Sequence, residues 1–182
     1  MVVQPRSRLT YEDYVLIPDD GRRHELIDGE EYVNPAPSTR HQEVTALIHH
    51  DIYDHLKRHG GGRVFIAPYD VILSEADVVQ PDVTFVSDAD AGVITEANIR
   101  GVPTLVVEVV SDRRLDHRIK RDLYARYRVP EYWVVDPDVD RVEVYLLTDG
   151  GYATPKILES GQTLTTEAIP GFILDIASLL RR

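Results

Sequence analysis

Two runs in this chain, Val78-Val79-Gln80-Pro81-Asp82-Val83-Thr84-Phe85-Val86 and Leu105-Val106-Val107-Glu108-Val109-Val110, are apolar at successive positions instead of alternate ones. A strand of that kind is covered on both faces and belongs at the centre of a sheet. Each run also holds one carboxylate, and an ionised carboxylate in such surroundings is costly unless a metal or a partner compensates it. Asp82 and Glu108 stand on strands expected to be neighbours, and together they suggest a divalent-metal site.

The rest of the chain supplies the elements such a sheet needs. Leu9 to Val15 reads as a short helix capped by Thr10, and Arg23 to Val33 as a hairpin turning at Asp28-Gly29. Ser38 opens the strongest helix, Thr39 to His59, with Val44, Leu47, Ile48, Ile52 and Leu56 at helical spacing and Gly60-Gly61-Gly62 as its stop. Strand-like runs follow at Val64–Ala67, Tyr69–Leu73, Val78–Val86 and Thr104–Val110, with a short helix expected within Asp88–Gly101. Residues 113–128 read as a helix with Leu115, Ile119, Leu123 and Tyr127 on one face. Glu131–Val135 and Arg141–Leu147 read as strands, and Ile169–Leu180 as a closing strand and helix. There is no repeat or clear linker, so residues 1–182 are expected to form one α/β domain, a central mixed sheet flanked by helices.

Composition removes several alternatives. The absence of cysteine excludes disulfides, thiolate metal sites and cysteine nucleophiles. No apolar run is long enough to span a membrane, and the first residues do not resemble a signal peptide; a cytoplasmic location is the default expectation. The net charge of −11 speaks against a nucleic-acid partner until its distribution is considered. Residues 113–128 hold seven of the 20 Lys and Arg against two Asp, so this segment is +5 and the remainder −16. A basic strip directly after Glu108 suits a phosphate-bearing substrate, although a charge run is usually only a solvated helix face.

The chemistry available to the acids is specific. Mg²⁺ takes hard oxygen ligands and keeps several waters, so Asp82, Glu108 and the backbone carbonyl of Val109 would suffice, with Mn²⁺ as a substitute. Such an ion activates water and neutralises a phosphate oxygen. Lys120 joins them as a third participant. It lies four residues from both Asp116 and Tyr124 on one helical stripe, at the edge of the buried face. Its ammonium could orient the attacking water or stabilise transition-state charge.

Pro81-Asp82, Glu108-Val109-Val110 and Lys120 resemble the PD-(D/E)XK nuclease superfamily. The stretches His24–Glu30, Pro37–Gln42, Val79-Gln80-Pro81-Asp82, Val107–Ser111 and Pro130–Pro137, in this order, resemble the Uma-two family of putative restriction endonucleases. The likeness runs over about residues 10–175 and implies a restriction-endonuclease-like fold and Mg²⁺-dependent endonuclease activity on DNA. By that likeness Asp82 and Glu108 bind the metal, Lys120 is the catalytic lysine, Glu25 is an additional acid and Gln80 a supporting polar residue. Two features depart from the pattern. Val110 stands where the superfamily lysine usually does, so Lys120 has to reach in from the following helix. Ser111-Asp112-Arg113-Arg114 replaces a Ser-Pro-Ser-like stretch.

Plainer explanations exist for each residue. Asp82 could end or kink an edge strand, Glu108 could pair with an arginine, Lys120 could be a solvated flank residue, and Glu25 could lie on the hairpin surface. His41, at a helix start near the site, is a supporting candidate whose plainer role is a bond to backbone. Zinc is disfavoured because HExxH is missing and no third ligand accompanies His55 and His59. Ser111, His117 and Asp116 do not make a nucleophile triad, and no phosphate-binding glycine loop is present. Trp133, Tyr132 and Tyr145 read as core or interface aromatics. The expectation is therefore a DNA endonuclease, acting as a homodimer, with Arg113, Arg114, Arg118 and Arg121 as candidate phosphate contacts. The competing expectation is an inactive nuclease fold kept for nucleic-acid or protein binding, which the −16 charge outside the basic segment favours.

Overall fold

The computed structural model describes residues 8–181. Its larger sheet is built on β3 (Gly62–Ile66), β6 (Val83–Ser87), β8 (Leu105–Val109), β9 (Glu131–Asp136) and β10 (Arg141–Thr148), hydrogen-bonded in that order. β11 (Gly151–Tyr152) and β12 (Lys156–Glu159) both pair with β10. β8 and β9 run parallel and the other neighbours antiparallel, so the sheet is mixed, as expected. A smaller sheet has the order β2 (Glu30–Asn34), β1 (Arg23–Ile27), β5 (Asp77–Val79), β4 (Val71–Ser74) and β7 (Ile99–Arg100).

The successive apolar positions of β8 are explained by cover on both faces. Leu105, Val107 and Val109 pack with Val44, Ile48, Ile52 and Leu56 of helix α2 (Thr39–His59), together with Trp133, Phe172 and Ile176. Val106 faces the other way, onto Tyr124, Tyr132, Leu115, Leu123 and Ile27. Glu108 shares that second face by the period of a strand. Helix α2 keeps the bounds its signals predict: Ser38 Oγ accepts the His41 N–H at 3.1 Å, and Gly60 ends it at φ +71°. The aromatic residues Trp133 and Tyr132 are core, and Tyr145 is buried beside them.

Three expected elements differ. The run Val78–Val86 is not one strand: Val78 and Val79 belong to the smaller sheet and Val83–Val86 to the larger. Pro81 lacks a backbone N–H and restricts Gln80, so the chain leaves one sheet there and enters the other. Asp82 consequently sits at the crossing and not within a strand. The interval Asp88–Gly101 forms a 3₁₀ turn at Asp88–Val93 and the short β7 in place of a helix. The basic segment begins with a wide π turn, Leu115–Lys120, and continues into α3 (Arg121–Arg126). The chain opens with α1 (Tyr11–Tyr14) and closes with β13 (Thr163–Thr165), β14 (Ile173–Asp175) and α4 (Ile176–Leu179). Among the described residues no helix is long and apolar enough to cross a membrane.

Candidate active site

The crossing at Pro81 delivers Asp82 to the end of β8. Its Oδ2 accepts the Val109 N–H at 2.8 Å and lies 3.0 Å from His41 Nε2; its Oδ1 accepts from Arg23 Nη1 at 2.8 Å. Burial by itself would raise the Asp82 carboxyl, but His41 and the Arg23 guanidinium more than offset it and hold the group below its ordinary range. In a strand, a residue's N–H and C=O leave by the same edge. The Val109 carbonyl therefore points to the side on which its N–H meets Asp82.

One residue back on β8, Glu108 Oε1 accepts from Lys120 Nζ at 2.9 Å and from Tyr124 Oη at 2.8 Å. Lys120 Nζ also lies 2.9 Å from Glu25 Oε2. Glu25, Glu108 and Lys120 are all essentially inaccessible to solvent. One ammonium thus serves two buried carboxylates, and they divide it unequally. Burial raises Glu25, yet Lys120, the Asn34 amide and the Gln80 N–H together bring it below its usual value. Glu108 has fewer donors: burial pushes it up to about 8 despite Lys120, and the charges of Asp82, Glu25 and Asp116 add to the rise. Burial works against the Lys120 ammonium, but Glu108, Glu25 and Asp116 outweigh it, so Lys120 stays charged.

An outer layer fixes these groups. Gln80 Nε2 donates to Asp70 Oδ1 at 2.8 Å and to Tyr14 Oη at 3.1 Å, while Tyr14 donates to the same Asp70 oxygen at 2.8 Å. Asp116 Oδ2 accepts the Ser111 and Asp112 N–H groups at 3.1 and 3.2 Å and so holds the loop that follows β8. Tyr132 donates to the Asp116 carbonyl at 2.8 Å. Residues 11–177 match the family model described as Uma2, putative restriction endonuclease.

The chain belongs to the Uma2 family. No match was found among curated proteins. Among solved structures, a putative nuclease of DUF820 from Anabaena variabilis is similar in fold, with a TM-score of 0.80 and 16% identity over 94% of this chain and 97% of that one. This Uma2 chain therefore shares the fold of that protein.

Within that family framework, Asp82, Glu108, Lys120, Glu25, Gln80, His41 and Tyr124 are linked in one network through Arg23, Asp116 stands beside it and acts on Lys120 through its charge, and Glu25 lies inside the network, not on a hairpin surface. The four arginines behave differently from one another. Arg113 is engaged by Asp136 at 2.8 Å and Arg121 by Asp122 at 2.7 Å, whereas Arg114 and Arg118 are exposed and their guanidinium groups have no partner among the described residues. Arg23, Asn34, Asp70 and Tyr14 are network members that sequence reasoning missed. Arg23 carried a signal, since alternation along β1 puts it on the same face as Glu25. Tyr14 carried none, because it reaches Gln80 across 66 residues of chain, and Asp70, ten residues before Gln80, meets it only through the folded turn between them.

The donor set can be tested against an oxygen-seeking ion. Among the described residues, no group of three or more His, Asp or Glu side chains forms a ready-made cage. Mg²⁺ does not require one, because one or two carboxylates and several waters satisfy it. Glu108 Oε2 accepts no hydrogen bond among the described residues, and the same carboxyl is the under-compensated member of the cluster. These features fit a hard divalent cation between Glu108, Asp82 and the Val109 carbonyl.

Proposed function

We propose that this protein is a divalent-metal-dependent endonuclease that hydrolyses phosphodiester bonds in DNA, with Mg²⁺ as its ion and Mn²⁺ as a substitute. The observation that carries this reading is the under-compensated Glu108, next in sequence to the residue whose N–H holds Asp82 and in contact with Lys120. Asp82, Glu108 and the Val109 carbonyl would hold the ion. When bound, it supplies an activated water and neutralises phosphate charge. Lys120 contributes fixed positive charge. It is no general base, since two carboxylates at 2.9 Å keep it protonated; its part is to stabilise the negative charge that builds on the phosphoryl oxygens. Glu25 anchors Lys120, and Asn34 and the Gln80 N–H keep Glu25 ionised for that purpose. Arg114 and Arg118 are free to contact backbone phosphates.

A second reading, a nuclease fold kept as a binding module, is favoured by one observation: both Asp82 oxygens already have protein partners. Thermal unfolding with Mg²⁺ or Mn²⁺ separates the two. The metal reading expects a rise in Tm for wild type that Asp82→Ala abolishes; an equal response in both proteins removes the site. Cleavage of linear, supercoiled, branched and single-stranded DNA, with Glu108→Ala and Lys120→Ala as controls, then tests activity. Folded, metal-stabilised protein that cuts none of them would support the binding module.

A further inference from the structure

Arg23 occupies an unusual place. Its Nη1 touches Asp82 Oδ1 at 2.8 Å and lies 3.4 Å from the Gln80 carbonyl, while its Nε is buried without a hydrogen-bond partner. The side chain is 19% exposed, and it lines a cavity of about 210 Å³ that opens beside Asp82 against His41, Thr45, Ile66 and Pro68. The other paired arginines near the site bond carboxylates outside the cluster: Arg113 to Asp136, Arg121 to Asp122 and Arg126 to Asp28 and Asp77. Arg23 alone among the described arginines both touches a candidate metal carboxylate and faces a cavity next to it.

The arrangement has a consequence for ligand binding. A divalent cation and a guanidinium on the same carboxylate repel each other, so Arg23 in its present position disfavours the ion. A phosphodiester entering the cavity reverses that relation. The planar guanidinium has a strong preference for phosphate oxygens, to which it donates in pairs. An Nε–H without a partner and open space beside the head group allow the exchange.

We infer that Arg23 is a phosphate-binding residue: it neutralises Asp82 in the resting site and passes to a backbone phosphate of the nucleic acid when substrate enters, so that metal and substrate bind cooperatively. This inference rests on the metal-dependent nuclease reading above. Coupling of this kind is reciprocal: substrate tightens the metal by the factor by which the metal tightens substrate, with typical factors of about 5 to 150.

The test is calorimetry on wild type, Arg23→Gln, Arg23→Lys and Asp82→Asn, titrating Mn²⁺ with and without a short, uncleavable phosphorothioate oligonucleotide and titrating that oligonucleotide with Mn²⁺ present, with folding followed by circular dichroism. Arg23→Gln is expected to bind Mn²⁺ alone about fivefold or more tighter than wild type, with the oligonucleotide adding little, whereas in wild type the oligonucleotide tightens Mn²⁺ by a factor in that range. Arg23→Lys keeps the charge and loses the planar fork, so its Mn²⁺ affinity stays near wild type while oligonucleotide affinity falls. A folded Arg23→Gln with unchanged or weaker Mn²⁺ affinity, or with wild-type coupling, overturns the inference. If Arg23→Gln does not fold, Arg23→Lys decides: undiminished oligonucleotide binding overturns the inference. Mn²⁺ binding that survives Asp82→Asn, or is absent from both wild type and Arg23→Gln, overturns the metal reading itself along with it.

Discussion

At the scale of single residues, the division of Lys120 between Glu25 and Glu108 has consequences that can be measured. Glu108 is pushed from an ordinary 4.5 to about 8, so the folded state binds its proton more readily than the unfolded chain. Stability contributed by this group is therefore greatest below pH 4.5 and is lost as pH rises to about 8. Glu108→Gln should flatten that fall, read from chemical denaturation at a series of pH values; an unchanged slope would remove Glu108 as its source. Because Mg²⁺ favours the carboxylate, its stabilising effect should be larger above pH 8 than at pH 6. Lys120→Ala leaves the buried, ionised Glu25 without its cation and should cost about 3–5 kcal/mol in chemical denaturation, and an unchanged stability would contradict that pairing. At this scale the sequence was readable where chemistry is local. Asp82 and Glu108 stood out as charges in apolar runs, and Lys120 as the stripe partner of Asp116 and Tyr124. Arg23 was overlooked because an arginine in a hairpin reads as surface, and only the folded contact at 2.8 Å reveals its carboxylate partner.

At the scale of elements, the site depends on where two segments change direction. Pro81 moves the chain from the smaller sheet to the larger and brings Asp82 to the Val109 N–H. Pro81 was visible in the sequence, but the change of sheet was not, since Val78-Val79 and Val83–Val86 have the same apolar pattern. The π turn over Leu115–Lys120 was equally hidden, because apolar spacing of a few residues fits either kind of helix. Helix α2, by contrast, was legible from Ser38 to Gly60, as its cap, face and stop are all local signals. Its first turn carries His41, 3.0 Å from Asp82, so capping and site are linked. Ser38→Ala should lower stability by about 1 kcal/mol in a denaturation experiment. The same change should weaken any metal response, and a variant with full wild-type stability would show that the cap contributes nothing.

At the scale of the whole molecule, a chain of net charge −11 has few cations to offer a polyanion. With Arg113, Lys120, Arg121 and Arg126 already paired, Arg114, Arg118 and Arg128 are the members of the basic segment with no ion pair among the described residues. Binding to duplex DNA should accordingly show a shallow salt dependence, a log–log slope of about −2 to −3, from which the double replacement of Arg114 and Arg118 by Ala removes roughly 2. A much steeper slope would point to a different face. The central strands followed from the apolar runs, whereas the second sheet, which supplies Glu25 and Arg23 and leads into Gln80, required pairings between distant segments such as Leu26 with Val78. The central claim, that the two sheets meet at a metal-dependent hydrolytic centre, is tested most directly by anomalous scattering from a Mn²⁺-soaked crystal. A peak is expected within bonding distance of Asp82, Glu108 and the Val109 carbonyl oxygen. A well-ordered site with no peak there, or with Mn²⁺ bound only elsewhere, would contradict it.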